Sequence, residues 1–204
     1  MEPRIAKTLE NLRANGFQAL YFASKEEATT WLCQQVQRGE KVAFGGSVTL
    51  RELHLRESLE QKGALFLDPY ATKDPKKQRE MLRQAFFADV YFTSANALTE
   101  EGFLFNVDGR GNRVAASLFG PERVYTVVGK NKLCADLAAA RRRLADIAAP
   151  MNAKRLECQT PCALTGKCTD CQGPARICRL YIELHRAPRD TASTVVIIGE
   201  ELGY

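Results

Sequence analysis

The sequence predicts an α/β fold in which a mainly parallel sheet is covered by helices on both faces. Strand-like and helix-like segments alternate over residues 1–150, which is the pattern of consecutive βα units. The strand segments are apolar, as expected when helices bury both faces of a parallel sheet. The chain has 204 residues, of which 45% are hydrophobic and 26% charged. This length suits one well-buried domain, so residues 1–204 are predicted to form a single domain.

Seven strands are predicted from short apolar runs bounded by turn residues. In chain order they are FQALYFA, KVAF, ALFL, DVYFTS, VYTVVG, ICRLYIELHR and TASTVVIIG. The first five alternate with other segments, whereas the last two follow each other directly and are expected to form a hairpin or a pair at the sheet edge. These late strands are predicted to complete a single parallel-rich sheet with residues 1–150.

The helices are predicted from apolar spacing and from residues typical of helix ends. The first helix has an apolar stripe formed by Ile5, Leu9 and Leu12. Ser24 and Glu27 form a capping box for the second. A further helix, in one or two pieces, is expected between the turn that follows KVAF and the strand ALFL.

Two later helices flank a connection without clear periodicity. Asp74 followed by Pro75 is a typical helix start. A long helix is predicted from about Leu133 to Ala148, closed by Pro150. The segment from Ser94 to Gly120 is predicted to be irregular.

Charge and hydropathy exclude several classes of protein. The net charge of +5 is spread along the chain, and the tight run Arg141–Arg143 lies in an alanine-rich helical pattern. We interpret this run as a solvated helix face rather than a phosphate contact, so nucleic acid is not an expected partner. No segment without charge exceeds eleven residues, which is too short for a membrane span. The amino terminus also lacks a secretory signal, and a cytoplasmic location is expected.

A glycine-rich turn joins the strand KVAF to the following helix. It contains Gly45, Gly46, Ser47 and Thr49. Glycines let a backbone approach an anion closely, and the two hydroxyl groups add hydrogen-bond donors. The turn has neither the lysine of a P-loop nor the spacing of a dinucleotide-binding motif. It indicates either an anion site or a tight turn with a serine N-cap and no ligand.

The segment SANALTEEGFLFNVDGRGNR after DVYFTS is dense in polar side chains. Its candidates for ligand contact are Asn96, Thr99, Glu100, Glu101, Asp108, Gly109, Asn112 and Arg113. Asp108 and Gly109 also suit a hairpin turn without chemistry, but a turn does not explain the number of carboxylates. Lys130 and Lys132 follow the next strand. Because parallel strands end at the same edge of a sheet, these groups are predicted to line one pocket for a small organic anion.

Acid or base chemistry in this pocket would depend on carboxylates or lysines. The chain has only two histidines, His54 and His185, and neither follows a predicted strand. A histidine-based metal centre or catalytic triad is therefore not expected. The catalytic candidates are Glu100, Asp108 and Lys130.

Five of the seven cysteines fall within 21 residues, Cys158 to Cys178. The proposed ligands of one metal centre are Cys162, Cys168, Cys171 and Cys178, with Cys158 as a substitute. Clustered cysteines in a reducing compartment favour metal binding over disulfides. A zinc ribbon would show two C-x2-C pairs, so the irregular spacing favours a [4Fe–4S] cluster over zinc. A redox-active thiol pair without metal stays open as a third interpretation.

The order of these motifs resembles that of LUD-domain (lactate-utilisation) proteins of the short, cysteine-containing kind. The resemblance covers residues 45–204. It is carried by FGGSVTLRE, DVYFTSANALTEEG, NVDGRGNRVAA, GPERVYTVVGKNK, APMNAKRL and TPCALTGKCTDCQGPARICR. It implies a three-layer α/β/α sandwich like that of ribose-5-phosphate isomerases, glucosamine-phosphate deaminases and CoA transferases, with a cysteine-rich insertion at residues 158–178.

The same resemblance implies where a ligand binds. The glycine-rich turn of the family matches Gly45, Gly46, Ser47 and Thr49. Its polar connection matches Asn96, Thr99, Glu100, Asp108, Gly109, Asn112 and Arg113. In isomerase-like relatives these strand ends hold a phosphorylated or carboxylated substrate. The chain is more compact than the members encoded in lactate operons and carries cysteines of its own.

The function expected from the resemblance is an accessory role in the oxidation of L-lactate or a related 2-hydroxy acid. Iron–sulfur or flavin oxidoreductase subunits are the expected partners, and a homo-oligomeric state stays open. Two alternatives remain. One is an isomerase or acyl-transfer enzyme acting on a phosphorylated sugar, a folate or a CoA ester. The other is a zinc-stabilised binding protein without catalysis.

Overall fold

A computed structural model describes residues 1–204, which form ten strands in two sheets. The strands are β1 (Gln18–Phe22), β2 (Lys41–Phe44), β3 (Leu65–Phe66), β4 (Val90–Thr93), β5 (Ala97–Thr99), β6 (Leu104–Asp108), β7 (Arg123–Gly129), β8 (Leu133–Cys134), β9 (Leu180–Leu184) and β10 (Ala192–Ile198). The main sheet has six strands in the order β1-β10-β7-β4-β2-β3, and every pair in it is parallel. The smaller sheet has the order β8-β5-β6-β9 and is mixed.

Nine α-helices connect and cover these strands. They are α1 (Pro3–Ala14), α2 (Lys25–Gln34), α3 (Val48–Glu52), α4 (Leu55–Lys62), α5 (Pro75–Gln84), α6 (Asn112–Leu118), α7 (Leu137–Arg143), α8 (Ala149–Arg155) and α9 (Pro161–Thr165). The predicted caps are confirmed, since the Ser24 hydroxyl accepts from the Glu27 N–H and the Asp74 carboxylate from the Lys76 N–H. None of the helices is long and apolar enough to cross a membrane.

Both faces of the main sheet are buried, because side chains of one strand point alternately to opposite sides. Val196 of β10 belongs to a core that includes Leu32 of α2 and Leu59 of α4. Its neighbour Val195 faces the other side, where the core includes Leu12 of α1. The predicted α/β class, a mainly parallel sheet with helices on both faces, is confirmed.

The prediction of one continuous sheet with a late hairpin is wrong. The late strands separate: β10 pairs with β1 and β7 inside the main sheet, whereas β9 pairs with β6 in the smaller one. The segment from Ser94 to Gly120 is also regular, since it forms β5, β6 and α6. β5 and β6 are short, and although they pair with each other, their outer partners β8 and β9 are distant in sequence, so a local pattern does not reveal the sheet.

The long helix predicted from about Leu133 to Ala148 has different bounds in the structure. The observed helix begins at Leu137 and continues through Pro150 to Arg155, with a π-helical stretch at Leu144–Ala148. Proline has no N–H and its ring collides with the carbonyl four residues earlier in an α-helix. The wider π turn directly before α8 lets the chain pass Pro150 without ending the helix.

Candidate functional site

A cavity of about 460 Å³ opens at the carboxyl ends of β2, β4 and β7, three adjacent strands of the main sheet. Gly46 and Ser47 follow β2, Ser94 and Asn96 follow β4, and Lys132 follows β7. The turn after β6 contributes Asp108, Gly109, Arg110, Asn112 and Arg113. Residues of α8 and of the stretch 158–178, which we call the cysteine segment, contribute to the wall. The strand ends therefore bring most of the predicted polar clusters to one place, as the parallel sheet requires.

The cavity wall includes Lys132, whose residue is only 3% exposed. Its ammonium group donates to the hydroxyls of Thr49 at 2.7 Å and Ser94 at 3.0 Å, and to the carbonyl of Ala95 at 3.3 Å. It forms no ion pair. Burial lowers the pKa of Lys132 to about 7, and the charges of Arg143 and Arg113 act in the same direction while Glu52 opposes them. This lysine is therefore partly neutral at physiological pH.

Arg113 fixes the polar connection above the strand ends. Its guanidinium donates to the carbonyls of Ser94 and Val107 and to the side-chain oxygens of Asn96 and Asn106, at 2.7 to 3.3 Å. Burial lowers the pKa of this guanidinium, and the nearby carboxylate of Asp108 opposes the shift. Because its donors already have protein acceptors, Arg113 contributes positive charge to the cavity and holds the wall rigid.

Asp108 caps the start of α6 rather than standing free as an acid or base. One carboxylate oxygen accepts from the backbone N–H groups of Arg110 and Gly111, each at 3.0 Å, and the other from that of Val114 at 3.2 Å. The Asp108–Gly109 pair is thus a turn into a helix, not the turn of a hairpin. A Cβ atom on Gly109 would lie 2.9 Å from the carbonyl oxygen of Ile177, so the cysteine segment approaches this turn closely.

The two glycines after β2 have different roles. A Cβ atom on Gly45 would lie 2.7 Å from the Tyr91 hydroxyl and 2.9 Å from Cγ of Arg113, so Gly45 is a packing position behind the wall. Gly46 is exposed in the cavity, and a Cβ atom there would meet only the Tyr70 hydroxyl, at 3.9 Å. Only the second glycine leaves room for a ligand to approach the backbone.

The side of the cavity formed by α8 carries a polar network that includes Tyr204. Arg155 donates to the Tyr204 hydroxyl and to the Asn152 side chain, each at 2.7 Å, and the hydroxyl donates in turn to Asn152 at 2.9 Å. The charges around the cavity are unequal. Four basic residues line it, namely Arg110, Arg113, Lys132 and Arg155, against the single carboxylate of Asp108. Such an excess of positive charge attracts anions.

Several predicted site residues lie outside the cavity wall. Thr49 lies behind it as the hydrogen-bond partner of Lys132, and Lys130 is exposed to solvent elsewhere. Thr99 accepts from the backbone N–H of Phe103 inside the β5–β6 turn. Glu100 forms an ion pair with Arg4 at 2.7 Å and thereby holds α1 against that turn. Neither Glu100 nor Lys130 is positioned to act on a ligand in this cavity.

Sequence reasoning assigned the wrong role to Arg143 and did not single out α8 or Tyr204. Arg143 ends the basic run that was predicted to be a solvated face, yet it is buried and donates to the carbonyls of Asn131 and Asn96 at 3.0 and 2.6 Å. Arg141 does face solvent and pairs with Glu183. Side chains two residues apart on an α-helix point about 200° away from each other. This spacing indicates that Arg141 and Arg143 cannot both lie on one solvated face.

The cysteine segment contacts the cavity through Ile177 and Cys178. All seven cysteines are free thiols, and no group of three or more potential metal ligands is assembled. The thiols are nevertheless neighbours. Burial raises the pKa of Cys178 to about 11, and negative charge on Cys168, Cys162 or Cys171 would raise it further, while Arg176 opposes the shift. The charges of the other thiols thus act on Cys178, but no ligand set is assembled.

The fold and the basic cavity at its strand ends define an α/β protein with an open cavity at the carboxyl edge of a parallel sheet. The family model of the LUD domain matches residues 5–198, so the chain belongs to the LUD-domain family. This confirms the resemblance carried by the motifs. The family relates the protein to lactate utilisation.

The solved structures that match this chain include a bacterial and a fungal protein. A crystal structure of a DUF162 family protein from Deinococcus radiodurans matches with a TM-score of 0.56 and 13% sequence identity, covering 96% of each chain. Because the sequence identity is low, this likeness supports only the fold of the present chain. The crystal structure of eIF2B beta from Chaetomium thermophilum matches with a TM-score of 0.36 and 15% identity, over 54% of this chain and 39% of that one. Among curated proteins, none matches this chain significantly in sequence.

Proposed function

We propose that the protein is an accessory component in the oxidation of L-lactate or a related 2-hydroxy acid. It binds the acid or its 2-oxo product in the basic cavity and carries a cysteine-ligated redox cluster beside it. The observation that carries this proposal is the position of Cys178, which is both a wall residue of the cavity and one of the clustered cysteines. The bound acid and the redox cluster would therefore lie next to each other in one site.

Anion binding is supported by donors that the protein leaves available at the cavity wall. The side chains of Arg110 and Asn112 have no hydrogen-bond partner in the protein, and Gly46 exposes its backbone to the cavity. The buried guanidinium of Arg113 adds a fixed positive charge behind them. A carboxylate entering the cavity gains charge-assisted hydrogen bonds without displacing an acidic side chain.

The cysteines fit a metal–sulfur cluster in kind and number but not yet in arrangement. Cys162, Cys168, Cys171 and Cys178 would hold the cluster, with Cys158 as a substitute, and such a group supplies one-electron transfer. Since no ligand set is assembled, the chain between Gly166 and Arg179 must close around the metal. That stretch has neither helix nor strand, so closure breaks no ladder of backbone hydrogen bonds.

The cluster is tested by purifying the protein without oxygen. The expected result is bound iron and sulfide, a brown colour, and broad absorption that bleaches on reduction. A colourless protein with one zinc ion would overturn the redox role and favour a zinc-stabilised binding protein. Bound metal should be lost in the Cys168→Ser variant and kept in Cys33→Ser, because Cys33 lies outside the segment.

Anion binding is tested by calorimetric titration with L-lactate and pyruvate. Replacing Arg110 by glutamine should weaken binding about tenfold or more, the effect of losing a hydrogen bond to a charged group. The matched control is Lys130→Gln, which removes an exposed positive charge outside the cavity and should leave affinity unchanged. Equal losses in both variants would indicate general charge attraction rather than a site.

The size of the cavity favours a second candidate, an isomerase or acyl-transfer enzyme. A volume of about 460 Å³ lies in the range that proteins use for ligands of drug size, and it exceeds what a three-carbon acid fills. A phosphorylated sugar, a folate or a CoA ester would use more of it. Thermal stabilisation by one of these compounds, without stabilisation by L-lactate or pyruvate, would favour this candidate.

A further inference from the structure

We propose that the amine of Lys132 is a nucleophile that forms a reversible imine with the carbonyl group of a 2-oxo acid held in the cavity. This inference rests on the proposed function, because a 2-oxo acid is the product of 2-hydroxy acid oxidation. It adds a covalent step, with Lys132 as its catalytic residue, to the binding of the 2-oxo acid.

The placement of Lys132 is unusual for a lysine with a merely structural role. Buried lysines are rare and are normally paired with a carboxylate, whereas the partners here are two hydroxyls and one carbonyl. The side chain reaches the cavity wall, so a ligand inside the cavity can approach it. Lys130, two residues earlier, shares none of these features, since it is exposed and does not line the cavity.

The surroundings of Lys132 favour the neutral, nucleophilic form of its amine. Arg143 of α7 and Arg113 of α6 add positive charge near it, and Glu52 of α3 is the one acidic group that acts against them. Together with burial they lower the pKa of the lysine to about 7. Desolvation and a neighbouring cation are the two devices that activate lysines for imine formation in other enzymes.

The step balances without an oxidant or a reductant. The nitrogen lone pair attacks the carbonyl carbon, a C–N bond forms, and the carbonyl oxygen takes up a proton. The oxygen then leaves as water while the C=N bond forms, and the two hydrogens of that water account for the two that the amine loses. The hydroxyls of Ser94 and Thr49 contact the nitrogen at 3.0 and 2.7 Å and can pass these protons.

The test is reductive trapping with pyruvate as the probe. The protein is incubated with pyruvate and sodium borohydride, digested, and mapped by mass spectrometry. We expect a reduced pyruvate adduct on Lys132 in the peptide that contains this residue, and no adduct without pyruvate. The yield of adduct should rise as the pH passes through about 7. An adduct spread equally over exposed lysines, including Lys130, would overturn the inference.

Variants and a binding measurement separate this inference from the proposed function. The adduct should be lost in Lys132→Arg, which keeps a positive charge, and retained in the matched control Lys130→Arg. If calorimetry shows pyruvate binding and no adduct forms, the imine is refuted and the proposed function stands. If L-lactate binds and pyruvate does not, the imine is also refuted and the proposed function stands. If neither compound binds, both fail. Because peptide mapping uses the wild-type chain, the result does not depend on a variant that folds.

Discussion

The cavity wall and the cysteine segment are neighbours that are built in opposite ways. Around Lys132 and Arg113 every buried side-chain nitrogen and oxygen has a hydrogen-bond partner, and the groups are held by the ends of β4 and β7. Between Gly166 and Arg179 there is neither helix nor strand, and Cys168 is exposed. The first region is organised by the fold, whereas the second has the donors but not the arrangement.

This difference follows from the chemistry of the groups involved. A buried charge or amide is costly unless it is hydrogen-bonded, so the fold must satisfy it before any ligand arrives. A neutral thiol makes weak hydrogen bonds and tolerates either solvent or an apolar contact. The thiols of Cys168, Cys171 and Cys178 can therefore remain in an irregular segment until a metal binds, whereas Cys162 is buried in α9. The cavity should respond strongly to mutation through stability, and the cysteine segment chiefly through metal content.

The largest expected effect is that of replacing Arg113 by methionine. The change removes four hydrogen bonds from a mostly buried guanidinium and leaves the side-chain oxygen of Asn106 without a donor, whereas that of Asn96 keeps the backbone N–H of Val107. We expect a loss of about 3–5 kcal/mol in the free energy of unfolding, the range for breaking a buried charged network. Urea denaturation followed by circular dichroism measures it.

The control for Arg113 is Arg110→Met, because Arg110 is an exposed residue of the same turn. Its removal should change the unfolding free energy by no more than about 0.5 kcal/mol. If Arg113→Met is equally mild, the cavity wall is not preorganised and the contrast between the two regions disappears.

The next effect concerns the pH dependence of stability. An unfolded chain holds the lysine proton up to a pKa of about 10.4, whereas native Lys132 releases it near a pKa of about 7. The unfolded state thus binds more protons between these values, and stability rises with pH there. From about pH 7.5 to about pH 9 this contribution is about 2 kcal/mol.

A variant isolates this contribution from the other titrating groups. Lys132→Met should lack the rise, so the difference in unfolding free energy between wild type and variant should grow over this window. Lys130→Met, which changes an exposed lysine, should follow the wild type. A constant difference at every pH would mean that Lys132 keeps an ordinary pKa, and it would also weaken the case for a nucleophilic amine.

A smaller effect distinguishes the two glycines of the turn. Gly45→Ala places a methyl group within 3 Å of Tyr91, Thr93 and Arg113, and we expect a cost of about 1–3 kcal/mol. Gly46→Ala meets only the Tyr70 hydroxyl at 3.9 Å and should leave stability nearly unchanged while obstructing the ligand. Unfolding and pyruvate titrations on both variants check this pair. Equal unfolding free energies would show that Gly45 is not packed as described.

The predictable part of the molecule is the part whose signals are local. The sequence predicts the apolar strands of the main sheet and the capping residues Ser24 and Asp74, because a few neighbouring residues determine each of them. The carboxyl edge of a parallel sheet then brings the loops after β2, β4 and β7 together. Most of the cavity could be anticipated in this way.

The unpredicted part depends on which way a side chain points or on contacts between distant segments. Lys130 and Lys132 have the same chemistry and nearly the same position, and only the turn after β7 sends the second inward. The smaller sheet joins β6 to β9, more than seventy residues apart. The hydrogen bond from Arg155 to Tyr204 likewise joins residues that are distant in sequence. No short motif encodes such contacts, so the sequence alone cannot assign these residues to the site.

The smallest expected effect on stability, and the sharpest test of the comparison, comes from Cys168→Ser in the metal-free protein. Cys168 is exposed, and its sulfur accepts a single hydrogen bond, 3.4 Å long, from the backbone N–H of Asp170. We therefore expect a change of less than about 0.5 kcal/mol in the free energy of unfolding. Hydrogen exchange should show rapid exchange over residues 166–179 in both chains without metal. With metal, protection of this segment should appear in the wild type and not in the variant, while the amides near Lys132 stay protected in all four samples. Slow exchange of the segment without metal would contradict the comparison, because it would mean that the fold already organises the cysteines.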